Sequence, residues 1–283
     1  MDWENLMSRL LVIPPLPNVL LSIQELMREE YPDIPSIAEL VKHDVALYTL
    51  LLSAANSPWM GLVKPATSIE HAIMLMGLDR IYTLIQSMAV RTSFSDSDLK
   101  QSFWAAAVDV AGVCSDLVKR FSGLDDSKAY SIGMLHNAGI AIMMDQFSDF
   151  KGFIRTHEYM SCDKLCVCER KEFSTDHYLQ GALMASKWNM GEEVSLAIRC
   201  QPIAKKILGG GKIIDENTST YLSILTLAKH VSAEYRRYWL IEGDDDQLTQ
   251  DTELALNYMH INHGDFVEIK EDLLENYMNK LPA

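Results

Sequence analysis

Residues 37–57 read IAELVKHDVALYTLLLSAANS, and this stretch decides the fold class of the chain. Its apolar residues recur at intervals of three and four, which is the spacing that places them on one face of an α-helix. Asp44 lies between two such runs, where its side chain can cap a second helix expected over Val45–Ala55. Asn56-Ser57-Pro58 then stops that helix. The pattern predicts short, closely turned helices with apolar inner faces, a packing module that offers no nucleophile.

The flanking sequence extends this helical pattern in both directions. Apolar residues between Leu20 and Met27 recur at helical spacing. Ser36-Ile37-Ala38-Glu39 has the form of a capping box, in which a hydroxyl and a carboxylate satisfy free amides at a helix start. Ser68–His71 is expected to open the next helix and Gly77 to end it, and a further apolar helix is predicted over Ile81–Val90.

The rest of the chain is also predicted to be helical. We place a boundary in the polar stretch Ser93–Asp98, between an N-terminal lobe of residues 1–95 and a second lobe of residues 96–283. Helices are predicted beyond it over 99–121, 126–145 (capped by Asp126 or Ser127), 149–158, 163–172, 176–188 and 218–239, with two more starting near Thr249 and Gly264. No run of alternating Val, Ile and Thr indicates a strand. The sequence therefore predicts an all-α fold in which an N-terminal helical lobe packs on a second helical lobe.

Composition limits the classes of function that are open to the chain. Its 283 residues are 48% hydrophobic and 23% charged, enough to bury a core without disulfides or a structural metal. The formal net charge of -14 argues against binding to nucleic acid or anionic lipid, although Lys205, Lys206 and Lys212 form a small basic patch. The five cysteines are an odd number, no signal peptide is evident, and no apolar run is long enough to cross a bilayer. We therefore expect a cytoplasmic protein.

Two other clusters contain residue types that often bind ligands. His157, Cys162, Cys166 and Cys168 are of the kinds that bind zinc, but they fall in a predicted helix, where Cys162 and Cys166 share a face and Cys168 does not. These cysteines are better explained as small apolar residues that are buried in the core. The three glycines at 209–211 lack the spacing of a phosphate-binding loop and predict a flexible turn.

Taken in order, these motifs resemble a known family. The order of the motifs is a proline-rich start, an acidic helix turn, Leu51-Leu52 to Asn56-Ser57, and then Ala72-Ile73 to Gly77-Leu78. This order is similar to that of the HDOD domain, the HD-related output domain of bacterial signalling proteins. The resemblance extends from about residue 10 to about residue 235. It implies the fold of that family and a relationship to the HD phosphohydrolases.

The resemblance also implies where a metal site would lie. Catalytic HD enzymes carry a His-Asp pair that holds a divalent metal, which lowers the pKa of bound water and polarises a phosphoryl group. In the matching string from Ser131 to Ile140, this chain has His136-Asn137, and the amide of Asn137 is a neutral and weaker ligand. His177 matches a further histidine of the family. The remaining ligand positions do not match. Ala106 replaces the family's first histidine, and Cys200-Gln201 replaces a His-His pair. Lys229 replaces the closing aspartate, and the adjacent His230 is a remote substitute for that ligand.

These replacements point to a site that has lost its catalytic function. An amine at position 229 would repel a dication, so the resemblance implies a vestigial site at His136, Asn137, His177, Cys200, Gln201 and Lys229, with no metal, no other cofactor and no catalytic residue. His136 and His177 are then expected to be buried, hydrogen-bonded histidines of the fold. The implied function is a non-catalytic signal-transduction module that binds signalling or regulatory proteins.

Other functions and details stay open at this point. The competing hypothesis is a metal-dependent phosphohydrolase acting on a nucleotide or a cyclic dinucleotide, and a third is a nucleic-acid regulator, which the net charge of -14 disfavours. The chain shows no receiver, kinase or cyclase domain, so we expect signals to pass through a partner chain. The crease between the two lobes is the expected surface for a ligand or partner.

Overall fold

The computed structural model describes residues 12–56, 60, 62–93, 101–157, 160–239 and 248–279. Within those ranges the regular structure is helical and contains no strand, which confirms the predicted all-α fold. The first five helices are α1 Asn18–Met27, α2 Ile34–Lys42, α3 Val45–Ala55, α4 Ile69–Met76 and α5 Leu78–Thr92. The predicted lobe boundary at 95/96 lies outside the described residues.

The later helices form the larger part of the molecule. They are α6 Gln101–Phe121, α7 Asp126–Leu135, α8 Gly139–Gln146, α9 Phe150–His157, α10 Cys162–Phe173, α11 His177–Lys187, α12 Glu192–Cys200, a 3-10 turn Gln201–Ile203, α13 Ala204–Leu208, α14 Glu216–Val231, α15 Ala233–Tyr238, α16 Gln250–Tyr258 and α17 His263–Asn279.

Several helix boundaries follow from the local side chains as predicted. The Asp44 carboxylate caps α3 by accepting a hydrogen bond from the Leu47 amide at 2.9 Å, and Ser68 caps α4 in the same way. Asn56 follows α3 and binds both backbone groups of Ala66, at 2.6 and 2.9 Å, so it holds the turn that its position predicts. Gly77 ends α4 with a positive φ of 88°, a conformation that glycine adopts without strain.

Other predicted boundaries are wrong. The capping box at Ser36 does not form, because α2 begins at Ile34: Pro35 fits the first turn, and the Ser36 hydroxyl donates back to Asp33. The N-cap of α7 is Asp125, whose carboxylate accepts a hydrogen bond from the Ser127 amide. The sequence had predicted Asp126 or Ser127 as the cap. The helix expected from Thr218 to Trp239 begins after Asp215.

Two predicted long helices are each divided into two by a side chain that competes for backbone groups. The helix expected over 126–145 breaks at residues 136–138, because the His136 ring occupies the Gly133 carbonyl that a continuing helix would use. The helix expected over 218–239 breaks at Ser232, whose hydroxyl accepts from the Tyr235 amide and donates to Asp109. Both breaks lie beside predicted site residues.

The packing brings the two halves of the chain into one continuous core. Helices α1 to α5 pack on one another, and α5 also packs against α7, while α6, α7, α12 and α14 form the centre of the second half. The indole of Trp188 donates to the Pro14 carbonyl at 3.1 Å, and its own carbonyl accepts from Gln86. The segment before α1 is thereby tied to the end of α11. No helix in the part of the chain that the structure describes is long and apolar enough to span a bilayer.

Candidate functional site

His136 is the centre of the predicted site and lies buried in the turn after α7. Its side chain is 2% exposed, and Nδ1 donates to the Gly133 carbonyl oxygen at 2.6 Å. Its other ring nitrogen, Nε2, is buried and has no hydrogen-bond partner among the described residues. Burial lowers the pKa of His136 well below its usual value, and the nearby charge of Lys229 lowers it further. His136 is therefore neutral at physiological pH.

A chain of hydrogen bonds joins three of the predicted site residues. The Gln201 amide nitrogen donates to the His136 carbonyl at 2.7 Å and to the Ile198 carbonyl at 3.2 Å. These bonds fix which side of the amide is oxygen, and that oxygen accepts a hydrogen bond from the Lys229 ammonium. Lys229 thus acts as a cation bound to a neutral amide, and burial lowers its pKa.

Tyr235 connects this network to Asn137, the residue that replaces the expected aspartate. The phenol of Tyr235 is hydrogen-bonded to the Asn137 side chain, and burial raises its pKa. The Lys229 nitrogen lies 5.6 Å from the centre of the Tyr235 ring, within the range of a cation–π contact. The His136 ring lies 5.5 Å from the same ring. The Tyr235 ring therefore lies close to both the histidine and the half-buried cation.

His177 is held by an acidic residue that the sequence analysis did not single out. Its Nδ1 lies 2.6 Å from Oε1 of Glu169, and its backbone amide donates to Oε2 at 3.1 Å. Both side chains are buried, at 1% and 0% exposure. The neighbouring Asp176 caps α11 and accepts from Arg170 at 2.7 Å; although burial opposes ionisation, Arg199 and Arg170 hold its pKa below the usual range. His177 is thus a buried, hydrogen-bonded histidine.

The other predicted positions contribute less to the site. Cys200 is buried, which raises the pKa of its thiol, and the charges that act on it are those of Lys212, Arg199 and Asp215 rather than Lys229. Ala106, where the family has a histidine, is buried in α6. The His230 ring packs 5.8 Å from Phe266.

The cysteine cluster stays close to its predicted geometry. Cys162 and Cys166 lie one turn apart in α10, and Cys166 is buried, which raises the pKa of its thiol to about 12. Cys168 approaches the sulfur of Met160 at 3.9 Å, and the His157 ring bonds to the Phe153 carbonyl within α9. All of these cysteines are free thiols.

A cavity of about 560 Å³ opens beside the Gln201–Lys229 pair. It lies within the second half of the molecule, and not in the crease between the two lobes where the sequence led us to expect a ligand surface. Sequence reasoning missed Tyr235, Arg236 and Asp251 in its wall, because they come from helices that meet only in the fold. The same holds for Glu169, which carries no motif of its own.

The donor set does not fit a divalent metal. Across the described ranges, no three His, Cys, Asp or Glu side chains come together as ligands could. His136 and Gln201 supply neutral groups, and the ammonium of Lys229 lies where the resemblance implies an aspartate. A cation there opposes a dication directly, whereas metal hydrolases use carboxylates and imidazoles to hold one. The arrangement presents a cation and neutral groups, which can bind an anion or a neutral polar group.

The neutral state of His136 predicts a loss of stability in mild acid. Its pKa is depressed in the folded protein, so below about pH 6.5 the unfolded chain binds a proton that the folded chain does not. The free energy of unfolding should fall by about 1.4 kcal/mol per pH unit on this account, until the folded pKa is reached. Urea unfolding should therefore show the wild type about 1.4 kcal/mol less stable at pH 5.5 than at pH 7.5, with a smaller difference in His136→Gln. The exposed His263→Gln variant should keep the wild-type difference, and equal differences in all three proteins would contradict the assignment.

Comparison with known proteins places this geometry in a family. The family model of the HDOD domain matches residues 13–203. An uncharacterized protein of Treponema pallidum (strain Nichols) is 29% identical over 193 residues, a match that covers 66% of this chain and 37% of that protein. The chain therefore spans little more than a third of the length of that curated relative.

Solved structures with the same fold cover nearly all of the chain. A Shewanella amazonensis SB2B protein, provisionally named a phosphohydrolase, has a TM-score of 0.69 at 20% identity, covering 98% of this chain and 96% of that one. An HDOD domain protein of unknown function from Geobacter sulfurreducens has a TM-score of 0.64 at 18% identity, covering 98% and 95%. A protein of Marinobacter aquaeolei VT8, provisionally named for signal transduction, has a TM-score of 0.66 at 20% identity, covering 95% and 58%. At these identities the likeness shows the fold alone.

Proposed function

This chain belongs to the HDOD domain family, and on that premise we propose that it is a non-catalytic regulatory module of bacterial signal transduction. One observation carries the proposal: the Lys229 ammonium is bound to Gln201, and through it to the His136 backbone, at positions where the resemblance implies metal ligands. The module would then act by binding other proteins. A related structure that is provisionally named for signal transduction is consistent with this role.

The partners that fit the proposal are signalling or regulatory proteins rather than nucleic acid or membranes. The net charge of -14 opposes binding to a polyanion, and the free thiols suit a cytoplasmic location. We keep the division at residues 95/96 as the proposed border between the two lobes. Capture of the tagged chain from its native cell in chelator-containing buffer should recover such a partner, and the two purified proteins should then bind directly. Failure of every recovered protein to bind directly would contradict the interaction role.

The alternative function is a metal-dependent phosphohydrolase that acts on a nucleotide or a cyclic dinucleotide. It is favoured by the hydrogen bonds that Nδ1 makes in both histidines: His136 bonds to a carbonyl and His177 to a carboxylate. Metal-binding histidines are oriented by bonds of this kind. A related structure is also provisionally named a phosphohydrolase. The missing carboxylates and the opposing amine weigh more, because orientation of two imidazoles does not offset a cation in the ligand set.

Metal analysis separates the two functions. We expect protein purified without chelator to contain iron, manganese and zinc well below one ion per chain by inductively coupled plasma mass spectrometry, and to hydrolyse neither nucleotides nor cyclic dinucleotides. Exchange of Asn137 and Lys229 for aspartate should increase Mn²⁺ binding, because it removes the repulsion and supplies carboxylates. Stoichiometric metal in the wild type that is lost in His136→Ala/His177→Ala and retained in His263→Ala would overturn the proposal.

A further inference from the structure

The cavity beside Lys229 has the size and the walls of a small-molecule site. Its volume of about 560 Å³ falls in the range of ligand pockets, which are mostly apolar with a few polar groups in fixed positions. Leu222 and Leu225 of α14 form one wall, and Ile203, Ala204 and Leu248 contribute further apolar surface. These side chains can enclose the apolar part of a ligand.

The charge of the cavity is opposite to that of the protein as a whole. The chain carries a formal net charge of -14, yet among the described residues the cavity is lined by three lysines, Lys205, Lys206 and Lys229, against two carboxylates. One of the carboxylates, Asp251, lies 3.2 Å from Lys205, so this pair is largely neutralised. Asp163 is the other. Lys206 and Lys229 remain against Asp163 among the described residues, and this positive charge would attract an anion that the rest of the surface repels.

Lys229 has N–H donors available for a further hydrogen-bond acceptor. An ammonium has three N–H donors, and among the described residues the Gln201 amide oxygen is its one hydrogen-bond acceptor. Gln201 is itself fixed by bonds to the His136 and Ile198 carbonyls, so the nitrogen position is held without flexible partners. The face of Tyr235 limits the amine on another side. A partly desolvated cation with unused donors binds an anion more strongly than an exposed lysine does.

We propose that this cavity binds a small organic anion, whose carboxylate or phosphate group contacts Lys229 and whose apolar or aromatic body packs on the leucine wall. The inference rests on the proposed function, because Lys229 can receive the anion only where no metal is held. Binding requires no chemical step and consumes nothing. It would make the module responsive to a metabolite, in addition to its protein partners.

The test uses simple probes of matched shape and different charge. Phenyl phosphate, benzoate, benzyl alcohol and benzylamine would be titrated into the full chain in EDTA-containing buffer, with ¹H–¹⁵N chemical shifts as the readout. We expect the two anions to bind at least tenfold more tightly than the alcohol and the amine, and Lys229→Met to weaken anion binding at least tenfold. Lys229→Arg should retain most of it, and Lys212→Met, a change at an exposed lysine outside the cavity, should leave it unaltered.

Several outcomes would overturn this inference. Equal affinity for benzyl alcohol would mean a non-selective apolar pocket, and equal weakening by Lys212→Met would mean general charge attraction. If Lys229→Met does not fold, Thr226→Trp fills the cavity from its wall and should abolish binding, and retained binding would place the anion elsewhere. If the anions bind neither with nor without Mn²⁺, the anion site is overturned but the proposed function is not. Binding that appears only with Mn²⁺ overturns the proposed function as well.

Discussion

Gly139→Ala should destabilise the protein by about 3 kcal/mol or more, because the new methyl group has no space. A Cβ at this position would lie 1.8 Å from the His177 carbonyl oxygen and 2.8 Å from the Gly181 backbone nitrogen. Both neighbours are backbone atoms of α11, so relief requires α8 and α11 to move apart. That movement would disturb the packing on both sides of the contact. Urea unfolding monitored by circular dichroism would give the change in free energy of unfolding.

Gly152→Ala is the matched control for this substitution. Gly152 also lies in a helix, α9, but a Cβ there meets no atom within 4 Å. Alanine has the higher helix propensity, so this variant should gain about 0.5–1 kcal/mol. A loss of less than about 1 kcal/mol in Gly139→Ala, the lower end of the usual overpacking cost, would mean that α8 and α11 are not in backbone contact.

The Gly139 contact also sets the geometry of the candidate site. Gly139 follows the His136 turn by three residues, and it touches the carbonyl of His177. The close approach of α8 and α11 therefore brings His136 and His177 near one another, and His177 is one of the groups that lower the pKa of His136. A single sequence shows a glycine here, but not that its missing side chain is what allows the contact.

Helix ends that depend on nearby side chains could be predicted from the sequence. Helix breaks that depend on contacts between distant parts of the chain could not. Asp44, Asn56, Ser68 and Gly77 act on neighbouring backbone within a few residues, so their roles could be inferred from their positions. The break at Ser232 could not, since it depends on a bond from its hydroxyl to Asp109, far away in sequence. Apolar periodicity continues through such a break without any sign of it.

The candidate site was predictable in its members and not in its connections. The resemblance located His136, Gln201 and Lys229, because a family pattern assigns positions one by one. It gave no indication that the Gln201 amide would link the other two, since this depends on distances between the 3-10 turn at Gln201, α14 and the His136 turn. Tyr235 was missed for the same reason: its contact with Lys229 requires the chain to turn back after α14.

Removal of Glu169 should have an effect of similar size, with a loss of about 3–5 kcal/mol in Glu169→Ala. The carboxylate is 0% exposed and accepts from both the ring and the backbone amide of His177. Its loss would leave two buried donors unsatisfied at the first turn of α11, and water cannot reach them without local unfolding. Denaturant unfolding would measure the loss, and ¹⁵N spectra of the His177 ring would report whether its Nδ1 proton is still held.

Two matched variants show that this loss comes from the buried bonds. Glu172→Ala changes an exposed glutamate of the same helix and should alter the free energy of unfolding by less than about 0.5 kcal/mol. Glu169→Gln keeps the shape and one acceptor, but it must turn an NH₂ group toward one of the two donors, so its loss should be intermediate. If Glu169→Ala proved as stable as Glu172→Ala, the His177 ring would not depend on Glu169. His177 would then be held by packing alone, whereas His136 would keep its bond to the Gly133 carbonyl.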